Sequence, residues 1–448
     1  MSEDLEKLAG RLLEAARRAG AEAADAIAVE GESLSIEVRG GALEHADRSE
    51  GIDIGLRVLI GKRQACVSAS DTRDEVLASM AERAVAMARE APEDPWCGLA
   101  EPGELATSWD VAALDLADPA AAPAPEVLKE MALAAEAAAL AVPGITKMDG
   151  AGASFGATRI HLAATNGFSG GYARTSHGVQ AVAICGDGLG MERDYAFESR
   201  THGADLPSPE EIGRLAGERT AARAGATKPP TGAYPVLYAE RVSGSLIGHL
   251  VQAVNGSAIA RGASWLKDAL GEAVLPAGME LIEDPFRPRI AGSRPFDAEG
   301  LPVARRALVA NGVLEGWTLD LATARKLGLR STGNASRGTG APPSPSTGNL
   351  ALTQGDESRE ELLAAMGTGL LVTSLMGSSI NATTGDYSRG ASGFWVENGE
   401  IVRPVNECTI AGNLREMLKG IRAANDARLH LSRVIPSLLV EGLVIAGS

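Results

Sequence analysis

One stretch near the C-terminal end restricts the backbone more than any other. It runs from Asn381 to Ile401, with glycines at 385, 390 and 393 placed around Asp386 and Arg389. Such spacing suits a chain that bends sharply or lies close against another. Phe394-Trp395-Val396 and Ile401-Val402 are β-formers on either side of Asn398-Gly399. Asn-Gly supplies the two positive-φ positions of a type I′ turn. A two-residue loop therefore predicts an antiparallel hairpin with Val396 opposite Ile401 and Trp395 opposite Val402. Glu397 and Glu400 would face each other, which is unfavourable unless they are solvated or paired. Asp386 and Arg389 either form an ion pair that stiffens the glycine-rich loop or face a substrate.

The chain has 448 residues, enough for two or three domains that each bury a core. Aromatic residues are only 4% of it, so Ala, Val and Leu must fill most of that core. The formal net charge of −16, with no compensating Lys/Arg run, argues against nucleic acid as a partner. Met1-Ser-Glu-Asp-Leu5 reads as the start of an acidic helix and not as a basic signal sequence. No apolar run approaches the roughly 18 residues of a membrane span. Cys66, Cys97, Cys185 and Cys408 are far apart and form no CxxC pair. Together these features predict a cytoplasmic protein with reduced thiols and no membrane partner.

In chain order, Leu5, Leu8, Leu12, Leu13 and Ala16 carry helical spacing up to Gly20. Alternating segments at 26–29, 34–38 and 52–60 predict strands, with Gly40-Gly41 as a turn. Residues 72–91 return to a helical period. From 91 to 125 the chain is rich in Pro and Ala and reads as an extended connection. A helix over 126–141 follows, then strands at 157–164 and 168–175 joined by Asn166-Gly167, and a further strand at 178–185. Ser208-Pro209-Glu210-Glu211 opens a helix with a capping box. Lys228-Pro229-Pro230-Thr231-Gly232 marks the domain boundary, giving domains 1–228 and 233–448. In the second domain the expectations are a strand at 234–238, a helix opening near Ser243, a hairpin at Asn311-Gly312 and a long surface loop over 333–357. Beyond these come a capped helix from Ser358, the opening hairpin, a helix over 411–424 and a last strand at 437–446. The fold class is α+β: an N-terminal mixed domain with an antiparallel sheet, then a mainly β domain with hairpins and a few helices.

The run from Thr384 to Glu400 closely resembles the signature of the PmbA/TldE branch of the TldD/PmbA metallopeptidase family. Phe296–Gly300, Ala324–Asn334 and Met366–Thr373 are similar to other segments of that family. The resemblance implies a two-subunit peptidase: a TldD-type subunit holds zinc on an H-E-x-x-x-H helix with a later Cys, and a PmbA/TldE-type subunit pairs with it. Against that motif this chain reads Ala239-Glu240-Arg-Val-Ser243-Gly244, keeping the acid but neither imidazole. The region of the expected Cys has Thr373 and Ser374. A catalytic zinc needs about three protein ligands. The expectation is that this chain binds no cofactor and that zinc sits on its partner. Glu240 then has no metal-bound water to deprotonate; as a helix-start carboxylate it is favoured by the macrodipole. With His249, Arg325, Asn334, Asp386 and Arg389 it makes up the candidates for a peptide-binding cleft.

Other chemistries are less well supported. Gly152-Ala-Ser154-Phe-Gly156 matches G-x-S-x-G but lacks the strand–turn–helix setting of a nucleophile elbow. Cys185 and Cys408 read as buried structural thiols. Gly186-Asp-Gly188-Leu-Gly190 lacks the Lys-Ser/Thr of a phosphate loop. The expected function is therefore a zinc-free partner subunit that handles peptides or unfolded chains, dimerising through its C-terminal half and forming a homodimer in isolation. The rivals are an independently active peptidase and a homodimeric peptide-binding or regulatory module.

Overall fold

The computed structural model describes residues 4–447; the first three residues of the acidic opening, 1–3, lie outside it. The N-terminal half is built as α1 (Leu5–Ala19), β1 (Ala23–Arg39), β2 (Ala42–Ile60), β3 (Arg63–Ala69), α2 (Asp74–Glu90) and a single turn α3 (Val111–Leu114). It continues through α4 (Pro125–Leu140), β4 (Ile145–Ala164), β5 (Ser169–Cys185), β6 (Glu192–Arg200) and α5 (Pro209–Ala221). Six strands form one antiparallel sheet in the order β3-β2-β1-β4-β5-β6. The helical spacing read in the sequence is what buries α1: Leu5, Leu8, Leu12 and Ala16 face α2 and the first strands. Helices α4 and α5 cover the other end of the same sheet through Leu128, Ala132, Ala135, Ile212 and Ala216.

The predicted strand pairs 26–29/34–38 and 168–175/178–185 are each one continuous strand, β1 and β5. Polar residues such as Glu30 and Glu32 break the hydrophobic pattern in β1, yet Glu30 pairs with Ile52 on one side and Arg159 on the other. Backbone pairing on both sides outweighs the local composition. The G-x-S-x-G run lies mid-strand in β4, so it makes no nucleophile elbow. Among the described residues no helix is long and apolar enough to cross a membrane.

The second half contains β7 (Gly232–Tyr238), α6 (Glu240–Ala253), α7 (Gly256–Ala260), β8 (Leu281–Glu283), β9 (Arg306–Ala310), β10 (Val313–Leu314) and α8 (Leu321–Leu327). Then come β11 (Ala335–Ser336), β12 (Ser344–Pro345), β13 (Leu350–Leu352), α9 (Arg359–Met366), β14 (Gly369–Ile380), β15 (Asp386–Glu397) and β16 (Glu400–Asn413). The chain closes with α10 (Leu414–Lys419), β17 (Arg422–Ala423), β18 (Arg433–Val434) and β19 (Leu438–Ala446). Strands run β16-β15-β14-β7-β19, and β16 also pairs with β19, so the sheet closes into a barrel. A smaller sheet, β10-β9-β8-β13-β18, packs into the same core.

The opening hairpin forms as the Asn-Gly signal requires. Asn398 and Gly399 have φ of 54° and 81°, Glu397 pairs with Glu400, and Val396 pairs with Ile401. The next pair is Trp395 with Arg403 and not with Val402, because the register shifts between Trp395 and Val396. The bulge leaves Trp395 buried, edge-on to Tyr234 at 4.9 Å, while Val402 stays exposed. Glu397 accepts a bond from Trp395 Nε1 at 3.1 Å, which gives one of the two facing carboxylates a partner.

Three further expectations need correction. Residues 333–357 are a surface loop only in part: 336–344 is mostly exposed, whereas Asn334, Ala335, Asn349, Leu350 and Leu352 are buried, and Thr339 at the apex reaches the N-terminal sheet. There a Cβ on Gly55 would stand 2.2 Å from Thr339 O, so the glycine marks a close backbone approach. The helix placed at 411–424 is only the short α10, because β16 continues to Asn413, whose side chain caps it. Helix α6 begins at Glu240, ahead of Ser243, with Ala239 in the N-cap position.

Candidate functional site

A groove of about 550 Å³ joins the two halves between β6 and the barrel. Strand β6 is the outer strand of its sheet. One wall carries Met191 and Tyr195, and the other carries Ser374–Met376 and Gly390–Ser392. Met191, Tyr195 and Met376 are exposed, and a methionine-rich rim adapts to varied apolar contacts.

The floor is ionic. Arg241 grips Asp194 with two bonds of 2.7 Å each. Arg223 donates to Glu192 Oε2 at 3.0 Å and to Ser392 Oγ at 3.0 Å, so it ties the N-terminal half to the barrel. Burial alone would raise the Asp194 carboxyl, but the bidentate Arg241 and nearby Arg223 hold it below the usual carboxylate range. Cys408 borders the groove, yet burial pushes its thiol up to about 11, and it donates to Ala391 O at 3.2 Å. A nucleophilic thiolate is not available there.

None of the six sequence candidates lines this groove. Glu240 sits at the first position of α6, 3.5 Å from Arg428 Nε. Arg428 donates in turn to Glu198 at 2.8 Å, and Glu198 also meets Arg200 at 2.6 Å and His430 at 3.2 Å. Glu240 is therefore one end of an ion network that bridges β6 and the 428–430 segment. His249 lies nine residues further along, about 13 Å by helix rise. Its ring meets Tyr387 edge-on at 5.8 Å. Burial, with the Arg389 charge beside it, holds the imidazole below its ordinary range. His249 is half-buried, whereas Tyr238 and Tyr387 are buried, their hydroxyls 3.4 Å apart.

Asp386 and Arg389 do not pair with each other. Asp386 accepts from Thr384 Oγ1 at 2.6 Å and Asn413 Nδ2 at 3.1 Å, and Arg389 Nε donates to Gly377 O at 2.8 Å. Arg325 donates to Trp96 O at 3.3 Å and Leu99 O at 2.7 Å, which fastens the 91–125 connection. Asn334 is buried and donates to Glu283 Oε1 at 2.8 Å. In this structure Arg325 and Asn334 thus tie loops and strands together. Asp194, Arg223, Arg241 and Ser392 escaped the sequence reading because no local motif connects them; the alternating, partly apolar run Met191–Phe197 was the available signal.

The start of α6 is where the sequence resemblance implies zinc in a TldD-type chain. Ala239 and Gly244 present no donor atoms, and Glu240 is taken up by Arg428. Among the described residues no three His, Cys, Asp or Glu side chains converge as a metal ion would need. The residues present do not fit a zinc site.

The fold and sequence define the class. Models of the PmbA/TldA metallopeptidase domain 1, central domain and C-terminal domain match residues 24–88, 118–224 and 231–447. The chain belongs to the PmbA/TldD metallopeptidase family, in its PmbA/TldE branch. It is 36% identical to the metalloprotease PmbA of Escherichia coli O157:H7 over 92% of this chain and 90% of that protein. A crystal structure of a candidate DNA gyrase modulator from Bacteroides thetaiotaomicron superposes with a TM-score of 0.92 at 28% identity, covering both chains fully. TldE from Thermococcus kodakarensis shares the fold, with a TM-score of 0.85 at 20% identity over 98% of this chain and 100% of that one.

Proposed function

We propose that this chain is the partner subunit of a TldD-type metallopeptidase, without zinc of its own, and that it helps hold peptides or unfolded chains for cleavage. One observation carries the reading. At the start of α6 the two positions that would need imidazoles are Ala239 and Gly244, and the acid between them is paired with Arg428. The zinc chemistry then belongs to the TldD-type subunit. This chain contributes a groove with an ionic floor, an apolar rim and the outer strand β6 along one side. An outer strand beside a groove supports recognition of extended backbone by strand addition.

The test combines metal content with activity. Protein purified without added metal is expected to hold far less than one zinc per chain. An unstructured peptide is expected to be cleaved by a mixture with a TldD-type subunit and not by this chain alone. Stoichiometric zinc, with chelator-sensitive cleavage by this chain alone that disappears in Glu240→Gln, would overturn the proposal. The same reading places the assembly in the cytoplasm, with a homodimer through the C-terminal half when the partner is absent. Light scattering at micromolar concentration should give a dimer, whose interface should exceed ~1,000 Å².

A further inference from the structure

A second cavity lies where the 333–345 segment meets the N-terminal sheet, remote from the groove and from α6. Its volume is about 110 Å³, room for a small anion or a few waters of about 30 Å³ each. Arg294, Arg337, Tyr172 and Ser336 line it together with the apolar side chains of Ile27, Ile160, Leu162 and Phe296.

The two arginines are incompletely satisfied. The Arg337 side chain is fully buried; its Nη1 meets Asp25 and its Nε donates to Gly338 O at 3.3 Å, but Nη2 is buried without a partner. Arg294 Nη2 donates to Ser346 O at 3.2 Å, while its Nε is buried without a partner. Leaving a charged donor unpaired in the interior is costly. Asp25 serves both Arg57 and Arg337, and Glu283 serves Arg306 at 3.0 Å and Arg294 at 3.9 Å. Asp297 borders the cavity too, but its oxygens accept from the N–H groups of Glu299, Leu301 and Ala335 at 2.9, 2.9 and 3.0 Å.

Water satisfies such donors poorly where much of the lining is apolar, because each buried water needs two to four polar partners. A carboxylate with a short apolar substituent matches this mixed lining: its oxygens can accept from the guanidinium N–H groups while its carbon end meets Ile27, Ile160, Leu162 and Phe296. We infer that this cavity is a binding site for a small aliphatic carboxylate, supplied by a free acid or by the C-terminal residue of a peptide. It stands on its own geometry and needs no partner subunit, so it can fail or hold independently of the proposed function.

Titration calorimetry of the full chain at neutral pH tests it with N-acetyl-L-alanine, its primary amide, propionate and inorganic phosphate. At least one of the two carboxylates should bind saturably, and the amide and phosphate should bind at least about tenfold more weakly, a difference of 1.4 kcal/mol. N-acetylalanine tighter than propionate points to a chain end, and the reverse points to a free acid. Arg337→Lys should weaken binding by at least about tenfold while circular dichroism and the melting temperature show a folded protein. If that variant does not fold, the contrast of acid and amide in the natural chain decides. Equal binding of acid and amide, phosphate matching the carboxylates, or a crystal grown with the tighter-binding of the two acids whose cavity holds ordered water only would overturn the inference.

Discussion

Glu299 is a carboxyl group in a place where a carboxylate is expensive. It is buried, and burial together with Asp297 and Asp320 outweighs Arg57 and pushes its pKa well above the usual range. Burial likewise pushes Asp297 up to about 6. A carboxyl whose folded pKa is raised binds its proton more tightly in the native state than in the unfolded one. Its contribution to stability is therefore greatest at low pH and is lost as pH rises from about 4.5 toward the folded pKa. Glu299→Gln copies the protonated form and should remove that loss. The variant is expected to melt about 2–4 °C above the natural protein at pH 8, with the gap closing near pH 5. Asp25 poses the opposite case, since it lies between the buried guanidinium groups of Arg57 and Arg337. Asp25→Asn leaves both cations without a counter-charge, a loss of about 3–5 kcal/mol. A fall in melting temperature of at least about 6 °C is expected by calorimetry.

At the scale of elements, the signals that proved legible were those written in adjacent residues. Asn398-Gly399 fixed its turn, Ser358 and Glu361 closed their capping box, and the apolar spacing of α1 placed its buried face. A Cβ on Gly399 would stand 2.7 Å from Ala364 Cα on α9, on top of the strain of positive φ. Gly399→Ala should therefore cost about 2 kcal/mol or more, while Asn398→Gly should stay within about 0.5 kcal/mol. Paired denaturant titrations would check both. What could not be read was set by distant partners. The bulge at Trp395 answers to packing against Tyr234, and the Gly/Pro-rich 333–357 segment has buried flanks and an apex whose Thr339 lies against Gly55 of the N-terminal sheet. The candidate site divides in the same way. Ala239 and Gly244 were visible because the motif they replace is local, whereas Arg223 reaches Ser392 across 169 residues.

For the whole molecule, the two halves are held by ion pairs that cross between them. Arg241 with Asp194 and Arg428 with Glu198 join the barrel side to β6, and Arg223, paired with Glu192 within the N-terminal half, adds a hydrogen bond to Ser392 of the barrel. Arg241→Met would leave the buried Asp194 with the longer contact to Arg223, at 3.8 Å, as its remaining ion pair, beside the bond from Tyr195 N–H at 2.8 Å. Proteinase K should then cut the α5–β7 connection, residues 222–231, faster than in the natural chain, with far-ultraviolet circular dichroism unchanged. Equal cutting rates would show that the halves do not depend on this pair.

The closed barrel also sets a timetable for synthesis. Strand β7 is flanked by β14 on one side and β19 on the other, and both are made later. Ribosomes add about 5–20 residues per second. β7, at residues 232–238, therefore waits several seconds for residues 369–380 and longer still for 438–446. Until then its Val236-Leu237-Tyr238 run, fully buried in the finished protein, has no neighbour to pair with. The N-terminal sheet draws all its strands from residues 23–200 and can be complete by that time. A nascent chain stalled between β7 and β14 is thus a folded half carrying a bare apolar strand, and that stage of translation is when this protein most needs a chaperone.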